Sequence, residues 1–363
     1  MSDANSPSPL VSANSILDMS EFFPAEKDPL KWPEPSAPPL TTSRRIGIHT
    51  SIAGGVENAA ARAYRLGCNT FQIFSTSPRQ WQPYSLAKSQ CDTMSQLRQK
   101  YDLNPLVIHS NYLINLAGIN PSFLKKSIAA FRGELERALA LCANYLVLHP
   151  GSFRGSSRED GLHRAAVSIA QASERLDLVK GGLTVLIENT AGAEYSLGGT
   201  FEQVAELLQL LRQNVPVGAC IDTCHTHVAG YDIVTKEGRS LTLQHLDQTV
   251  GLQNIHVWHS NDTKAERGSR LDRHEHIGRG KLGLETFRAL LNDRRLKHAA
   301  FIAETPIDEP GDDLRNVATL KALVKGKNEK TQKNNLPNSQ TRHRSEDAST
   351  VPPPCSLQRC ASN

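Results

Sequence analysis

Eight short apolar runs, each followed by an amphipathic stretch, constrain the fold of this chain more than any other feature. The runs are IGIH (46–49), TFQIF (70–74), PLVIH (105–109), YLVLH (145–149), LTVLIE (183–188), VGACID (217–222), NIHVWH (254–259) and AAFIAE (299–304). Between them lie stretches such as VENAAARAYRLG, SIAAFRGELERALALCA, TFEQVAELLQLLRQN and LGLETFRALLND, whose apolar residues recur at helical spacing. Successive runs end 25 to 45 residues apart, which is room for one strand and one helix. Eight such units in about 260 residues predict an α/β fold, a single closed (β/α)8 barrel, rather than an open doubly wound sheet. No GxGxxG follows the first run, which weakens a dinucleotide-binding alternative.

The residue that closes each run carries the chemistry. His49, His109, His149, Glu188, Asp222, His259 and Glu304 close seven of the eight. In a parallel barrel these ends converge on one mouth, where active sites are built. Burying several carboxylates and imidazoles together costs several kcal/mol per group unless a cation compensates them. His with Asp or Glu is a zinc-type donor set. Strand parity puts His259 on one side with Ile255 and Val257, and His256 on the other with Trp258, so His256 is not expected to be a ligand.

Two local clusters add donors. In CIDTCHTHVAGYD, Asp222 and His225 lie three apart where a strand turns into a loop, and His227 is also possible on spacing. In GSRLDRHEHIGRGKLG, Asp272 and His274 share one face of an extended segment, with Arg273 opposite. His163, His245, His276 and His298 carry no such pattern. The converging set is then His109, His149, Glu188, Asp222, His225, His259, Asp272, His274 and Glu304. One zinc takes three or four protein ligands, so nine imply two or three ions. Closely spaced metals suit in-line displacement at phosphorus, and the site reads as hydrolytic.

The ends differ from the middle. Residues 1–43 (SPSP, PAEKDP, PEPSAPP) and 326–363 (rich in Lys, Asn, Gln, Ser and Pro) cannot bury enough apolar surface to offset chain entropy, and are expected to be disordered tails around a barrel at 44–325. No run of about 18 apolar residues and no signal-peptide pattern occurs, so membrane and secretory readings are set aside. Seven cysteines, none paired at CxxC spacing, fit a reduced intracellular compartment. The net charge of +4 is too mild to name a partner, although the tails carry −4 and +3 and the middle +5.

With these residues in hand, the chain resembles the endonuclease IV (deoxyribonuclease IV) family of AP endonucleases. The segments that carry the resemblance are IGIHTSIAGG, HSNYLINLAG, LHPGS, IENTAG, DTCHTHVAGYD, HSNDTKAERGSRLDRHEHIGRGKLG and AETP, from Ile46 to Pro306. The resemblance implies a xylose-isomerase-like TIM barrel with three zinc ions per chain. It implies His109, His149 and Glu188 at the first ion, and Glu188, Asp222, His259 and Glu304 at the second. His225, Asp272 and His274 are implied at the third, with Glu188 and Glu304 as the catalytic carboxylates. His49 ends a strand but is not a family ligand, so it is expected to support the ligands. His227 stands where the family has a less polar, often aromatic residue.

The implied reaction is metal-assisted hydrolysis of the phosphodiester 5′ of an abasic site, leaving a 3′-hydroxyl and a 5′-deoxyribose phosphate, with trimming of blocked 3′ ends. The implied partner is duplex DNA, met by Arg79 in STSPRQW and by Tyr112 and Leu113 in SNYLINL, which refill or wedge the opened stack. Gly54 and Gly55 would offer backbone N–H groups to a phosphate. A monomer is expected, cytoplasmic and nucleoid-associated if prokaryotic. Two other classes compete: a sugar isomerase or epimerase on the same barrel, which needs a smaller acidic site, and a non-catalytic damage-binding protein, which would have lost ligands. The nine donors speak against both.

Overall fold

Each of the eight apolar runs forms a strand, and alternation along the run decides what each side chain faces. The computed structural model describes residues 27–32, 35, 44–81 and 85–325. The remainder of the segments expected as tails lies outside the described residues. The strands are β1 (Arg45–Ile48), β2 (Phe71–Phe74), β3 (Leu106–His109), β4 (Tyr145–Leu148), β5 (Thr184–Glu188), β6 (Val217–Asp222), β7 (Ile255–His259) and, last in the chain, β10 (Ala300–Ala303). A two-stranded antiparallel hairpin, β8 (Asp262–Thr263) with β9 (His274–Glu275), stands between β7 and β10.

All eight barrel strands are parallel, in the order β1-β10-β7-β6-β5-β4-β3-β2. The ring closes between β1 and β2 through a parallel bridge of His49 with Gln72, where Thr50 N donates to Gln72 O at 2.8 Å. Val107, Val147, Leu186, Cys220, Val257 and Ile302 fill the barrel interior as one apolar layer. Their neighbours in sequence, among them Ile108, Leu148, Ile187, Ile221, Trp258 and Phe301, face the helices in the larger core. Period-two alternation then puts His109, His149, Glu188, Asp222, His259 and Glu304 directly above that layer, because each lies two residues beyond one of its members.

The helices are α1 (Asn58–Arg65), α2 (Lys88–Tyr101), α3 (Pro121–Ala140), α4 (Arg158–Ser173), α5 (Leu178–Gly181), α6 (Phe201–Leu211), α7 (Thr223–Val228), α8 (Lys236–Thr249), α9 (Gly283–Asn292) and α10 (Asp312–Leu323). Several start where their sequences say they should. Asn120 accepts from Phe123 N at 3.0 Å ahead of Pro121, and Ser157 accepts from Asp160 N at 3.1 Å. Such caps satisfy N–H groups that the first turn leaves without partners.

Two expectations change. Parity along β7 is interrupted: Ala219 pairs with Ile255 but Cys220 pairs with Val257, so β7 carries one extra residue. Ile255 therefore joins the outer core with Trp258, and His256 turns inward, stacking on Tyr145 with ring centroids 5.2 Å apart. Burial there pushes the His256 imidazole down to about 4, with help from His298, and it remains a packed residue far from the ligand layer in register. Second, part of the segment expected as tail is packed. A short 3-10 turn, Pro29–Lys31, lies against α1, and Trp32 is 8% exposed within the main core.

Candidate metal centre

The mouth gathers the nine donors in overlapping groups. Donor atoms of His109, His149 and Glu188 lie within 4.8 Å of one another, as do those of Glu188, Asp222, His259 and Glu304, and those of Asp222, His225 and His274. Asp272 links to the last of these, 3.2 Å from His225 Nε2 and 3.1 Å from His274 Nε2. Glu188 is the hub. Its carboxylate is fully buried and meets His109 at 3.2 Å, His149 at 3.1 Å, His225 at 3.4 Å and His259 at 2.9 Å. The donors grade from closed to open: His259 and Asp222 are inaccessible, whereas the side chains of His149 and Asp272 are 39% and 49% exposed.

The imidazoles are oriented as metal ligands are. His109 Nδ1 donates to Ser110 O, His225 Nδ1 to Asn189 O and His274 Nδ1 to Glu304 O, each at 2.9 Å. A carbonyl oxygen only accepts, so these nitrogens carry the proton. The opposite nitrogens then point at carboxylates, which is repulsive unless a proton or a metal ion lies between them. His274 Nε2 is buried without a hydrogen-bond partner although Asp272 Oδ1 is 3.1 Å away. Such outward-tied imidazoles with inward lone pairs fit a divalent cation of the zinc class.

Electrostatics agree. Burial disfavours the charged form of every group here, yet neighbours overcome it for most. Asp222, Asp272 and Glu188 hold His225 well above the usual imidazole range, and the Cys220 thiol with the carboxylates of Glu304 and Glu188 does the same for His259. Glu188 is held well below the usual carboxylate range by His259 and His149, and Glu304 is lowered chiefly by His259 and His49. Asp222 is the exception, because burial raises it despite His225 and His274.

Local structure departs from the sequence reading at several points. The segment after Asp222 is a helix, α7, not a loop. Asp222 caps it by accepting from His225 N at 2.8 Å, which places both side chains at the mouth. His225 enters the cluster, and His227 does not; its Nδ1 is buried without a hydrogen-bond partner, and burial and Arg267 lower its pKa. His49 lies 3.8 Å from Glu304 Oε1, its ring tilted against Phe74. The remaining histidines sit elsewhere: His245 pairs with Glu202 at 2.6 Å, and His276 lies 3.8 Å from Asp312.

Several contributors went unnamed in the sequence. Gln72 Nε2 donates to Glu304 Oε1 at 2.6 Å and approaches His49 Nδ1 at 3.0 Å, while its Oε1 accepts from His259 Nε2 at 2.8 Å. That fixes which nitrogen His259 turns toward Glu188. Asn261 Nδ2 donates to Asp222 Oδ2 at 2.6 Å, and its Oδ1 accepts from Glu304 N at 2.7 Å. Asp262 accepts from Thr263 N, Gly278 N, Gly280 N and Leu282 N, and so ties down the loop after β9. Cys220 and Cys224 also join donor groups, the latter with Sγ 3.7 Å from Asp272 Oδ1. A polar residue at an inward position, as Gln72 is within TFQIF, was the available signal.

Candidate substrate contacts surround this cluster. Tyr112 is 60% exposed and lies edge-on to Phe74. Leu113 is half-buried, and its N–H donates to Asn111 Oδ1 at 2.7 Å. Arg79 is exposed in the loop after β2, which Asn111 Nδ2 holds through Ser77 O at 3.0 Å and Gln80 O at 2.8 Å. Gly54 and Gly55 form the turn after β1 with φ of 79° and 140°, values that side chains rarely tolerate.

Comparison with known proteins places this architecture. Residues 60–324 match the family of xylose isomerase-like TIM barrels. A probable endonuclease 4 of Solibacter usitatus is 48% identical over 285 residues, covering 78% of this chain and 98% of that protein. One from Chloroflexus aurantiacus is 41% identical over 283 residues, covering 78% and 99%. The crystal structure of endonuclease IV from Thermus thermophilus superposes with a TM-score of 0.67 at 38% identity, covering 77% of this chain and 98% of that one. A D-tagatose 3-epimerase-like protein, 19% identical at a TM-score of 0.56, covering 77% and 96%, shares the fold alone. Relatives matched over nearly their full length thus accompany a mouth of clustered imidazoles and carboxylates, and the chain belongs to the endonuclease IV family of xylose isomerase-like barrels.

Proposed function

We propose that this chain is a zinc-dependent AP endonuclease. It hydrolyses the phosphodiester 5′ of an abasic site in duplex DNA, leaves a 3′-hydroxyl and a 5′-deoxyribose phosphate, and trims blocked 3′ ends in base excision repair. The coarser part follows from family: the chain is a nuclease of the deoxyribonuclease IV type. The observation that carries the finer reading is the orientation of His109, His225 and His274, each tied outward to a carbonyl with its other nitrogen turned onto a carboxylate.

Three zinc ions would be held by His109, His149 and Glu188, by Glu188, Asp222, His259 and Glu304, and by His225, Asp272 and His274. Bound zinc supplies Lewis acidity toward phosphodiester oxygens and lowers the pKa of water. The chain's own groups do the rest. Glu188 and Glu304 are held ionised, so neither donates a proton near neutral pH; Glu304, steadied by Gln72 and Asn261, would act as a fixed anionic ligand at the reacting centre. Tyr112, whose phenol stays protonated, and Leu113 wedge the base step. Arg79 occupies the gap left by the extruded sugar, and the N–H groups of Gly54 and Gly55 meet a phosphate. A monomer leaves the mouth clear for a duplex, and the nucleoid of a prokaryotic cytoplasm would supply it. Among the described residues no helix is long and apolar enough to cross a membrane.

Zinc-loaded protein is expected to nick a duplex carrying one abasic analogue immediately 5′ of the lesion, with metal analysis run on the same sample. An intact strand would sink the proposal. Arg79→Ala is expected to reduce discrimination between abasic and undamaged duplex about tenfold, roughly the worth of one lost specific contact, without changing metal content. Equal discrimination would remove Arg79 from the recognition set. Gln72→Leu, which frees both His259 and Glu304 from their outer partner, is expected to weaken zinc retention about 10–100-fold in competition with a chelator. Retention equal to that of the unaltered chain would show that Gln72 is dispensable to the ligands.

A further inference from the structure

Residues Lys27–Trp32 precede the barrel, yet they reach two loops of its mouth. Asp28 binds the Arg62 guanidinium through both carboxylate oxygens, Nε to Oδ1 at 3.0 Å and Nη2 to Oδ2 at 3.2 Å. The third arm of the same guanidinium, Nη1, donates to Ser51 O at 3.0 Å, at the start of the turn that carries Gly54 and Gly55. Arg65, one turn further along α1, donates to Pro29 O at 3.3 Å and to Leu30 O. Lys27 Nζ donates to Asp308 O at 3.1 Å, four residues beyond Glu304. Trp32 anchors the far end in the core. The Arg62 side chain is only 6% exposed, so its charge is taken out of water and depends on good partners.

The relatives align over nearly their whole length with 78% of this chain, which therefore carries residues beyond what they match. We propose that Lys27–Trp32 is a brace that positions the loop between β1 and α1 for the duplex backbone, with Asp28 and Arg62 as its positioning residues. The use of that loop on a duplex rests on the function proposed above; the bracing of the loop does not. A guanidinium shared between Asp28 and Ser51 O couples the two directly. The turn beyond it is shaped by short local bonds, Ala53 N to Ser51 Oγ, Gly55 N to Ile52 O and Asn58 N to Gly55 O, each 3.1 Å, and Gln90 Nε2 holds Glu57 at its far end at 3.0 Å. A side chain at Gly55 would strain the turn, because its φ of 140° is one that residues with a Cβ rarely adopt.

The test uses the full chain, an abasic-analogue duplex and amide hydrogen exchange without DNA. Asp28→Ala is expected to raise KM about fivefold with kcat within about twofold, the signature of lost uniform binding, and to speed exchange across residues 51–57. Asp28→Glu should recover part of both effects. Asp102→Asn is the control. It weakens an equally bidentate surface pair with Arg45, at 2.9 and 3.2 Å on the opposite end of the barrel, and should move neither readout. If Asp28→Ala does not fold, Asp28→Asn keeps an acceptor for Leu30 N and serves in its place. A fall in melting temperature with KM and loop exchange unchanged would overturn the proposal. If the unaltered chain does not nick the duplex, the functional reading fails, and exchange at 51–57 alone decides for or against the brace.

Discussion

Glu188→Gln is expected to be the most damaging single substitution in this protein. The carboxylate is fully buried, four imidazoles lie within 3.4 Å of it, and it joins the His109–His149 group to the Asp222–His259–Glu304 group. The amide has nearly the same shape but no charge. It leaves His109, His149 and His259 facing a neutral group, one end of which is itself a donor and turns N–H toward ring nitrogens that now meet carboxylate oxygens, while His225 Nδ1 loses an anionic neighbour. Breaking a buried charge arrangement on one side costs about 3–5 kcal/mol, or about 10²–10⁴ in rate or affinity. Metal content per chain should fall together with nicking of an abasic duplex, both measured on one preparation. Metal content and activity within about tenfold of the unaltered chain would show that Glu188 is not the hub the geometry describes.

Glu304→Gln is expected to separate chemistry from binding. Glu304 closes β10's run at the mouth, with its side chain 17% exposed, 3.2 Å from His259 and bonded to Gln72 and Asn261. It belongs to one donor group, whereas Glu188 belongs to several. The groups built from His109 and His149, and from His225 and His274, survive its loss, as do the exposed loops proposed to meet the duplex. Single-turnover cleavage should therefore fall by about 10³ or more, while affinity for an abasic-analogue duplex, measured by gel shift, changes less than about tenfold. A loss of binding as large as the loss of cleavage would move Glu304 from the reaction to substrate binding.

Much of the fold was legible because a parallel barrel repeats one simple rule. Apolar residues at period two alternate between interior and helix-facing layers, and the last inward residue of each strand reaches the mouth. His109 above Val107, Glu188 above Leu186 and Glu304 above Ile302 obey it. Rules of this kind fail where a strand breaks step. The extra residue in β7 turned His256 inward and Ile255 outward, against parity. In β2 the polar residue is Gln72, two positions before the strand ends in Phe74, so a reading confined to strand ends passes over it. His225 and His227 could not be separated by spacing, because only the capped helix α7 decides which imidazole turns toward Asp222. The contacts of Asp28 with Arg62 were equally hidden, since a proline-rich segment gives no periodic sign of where it docks.

By itself, then, the sequence determined the barrel, the identity of the residues that crown its strands, and a set of His, Asp and Glu donors of the kind that can hold cations. Periodicity reports which face a side chain takes, and that is local information. Distances between faces are not local. Glu188 meets His259 across 71 residues and Gln72 meets Glu304 across 232, and only closure of the ring brings them to 2.9 and 2.6 Å. The tertiary structure alone decided which nitrogen each imidazole offers, because that choice is made by whichever acceptor waits on its far side: Ser110 O, Asn189 O, Glu304 O or the Gln72 amide.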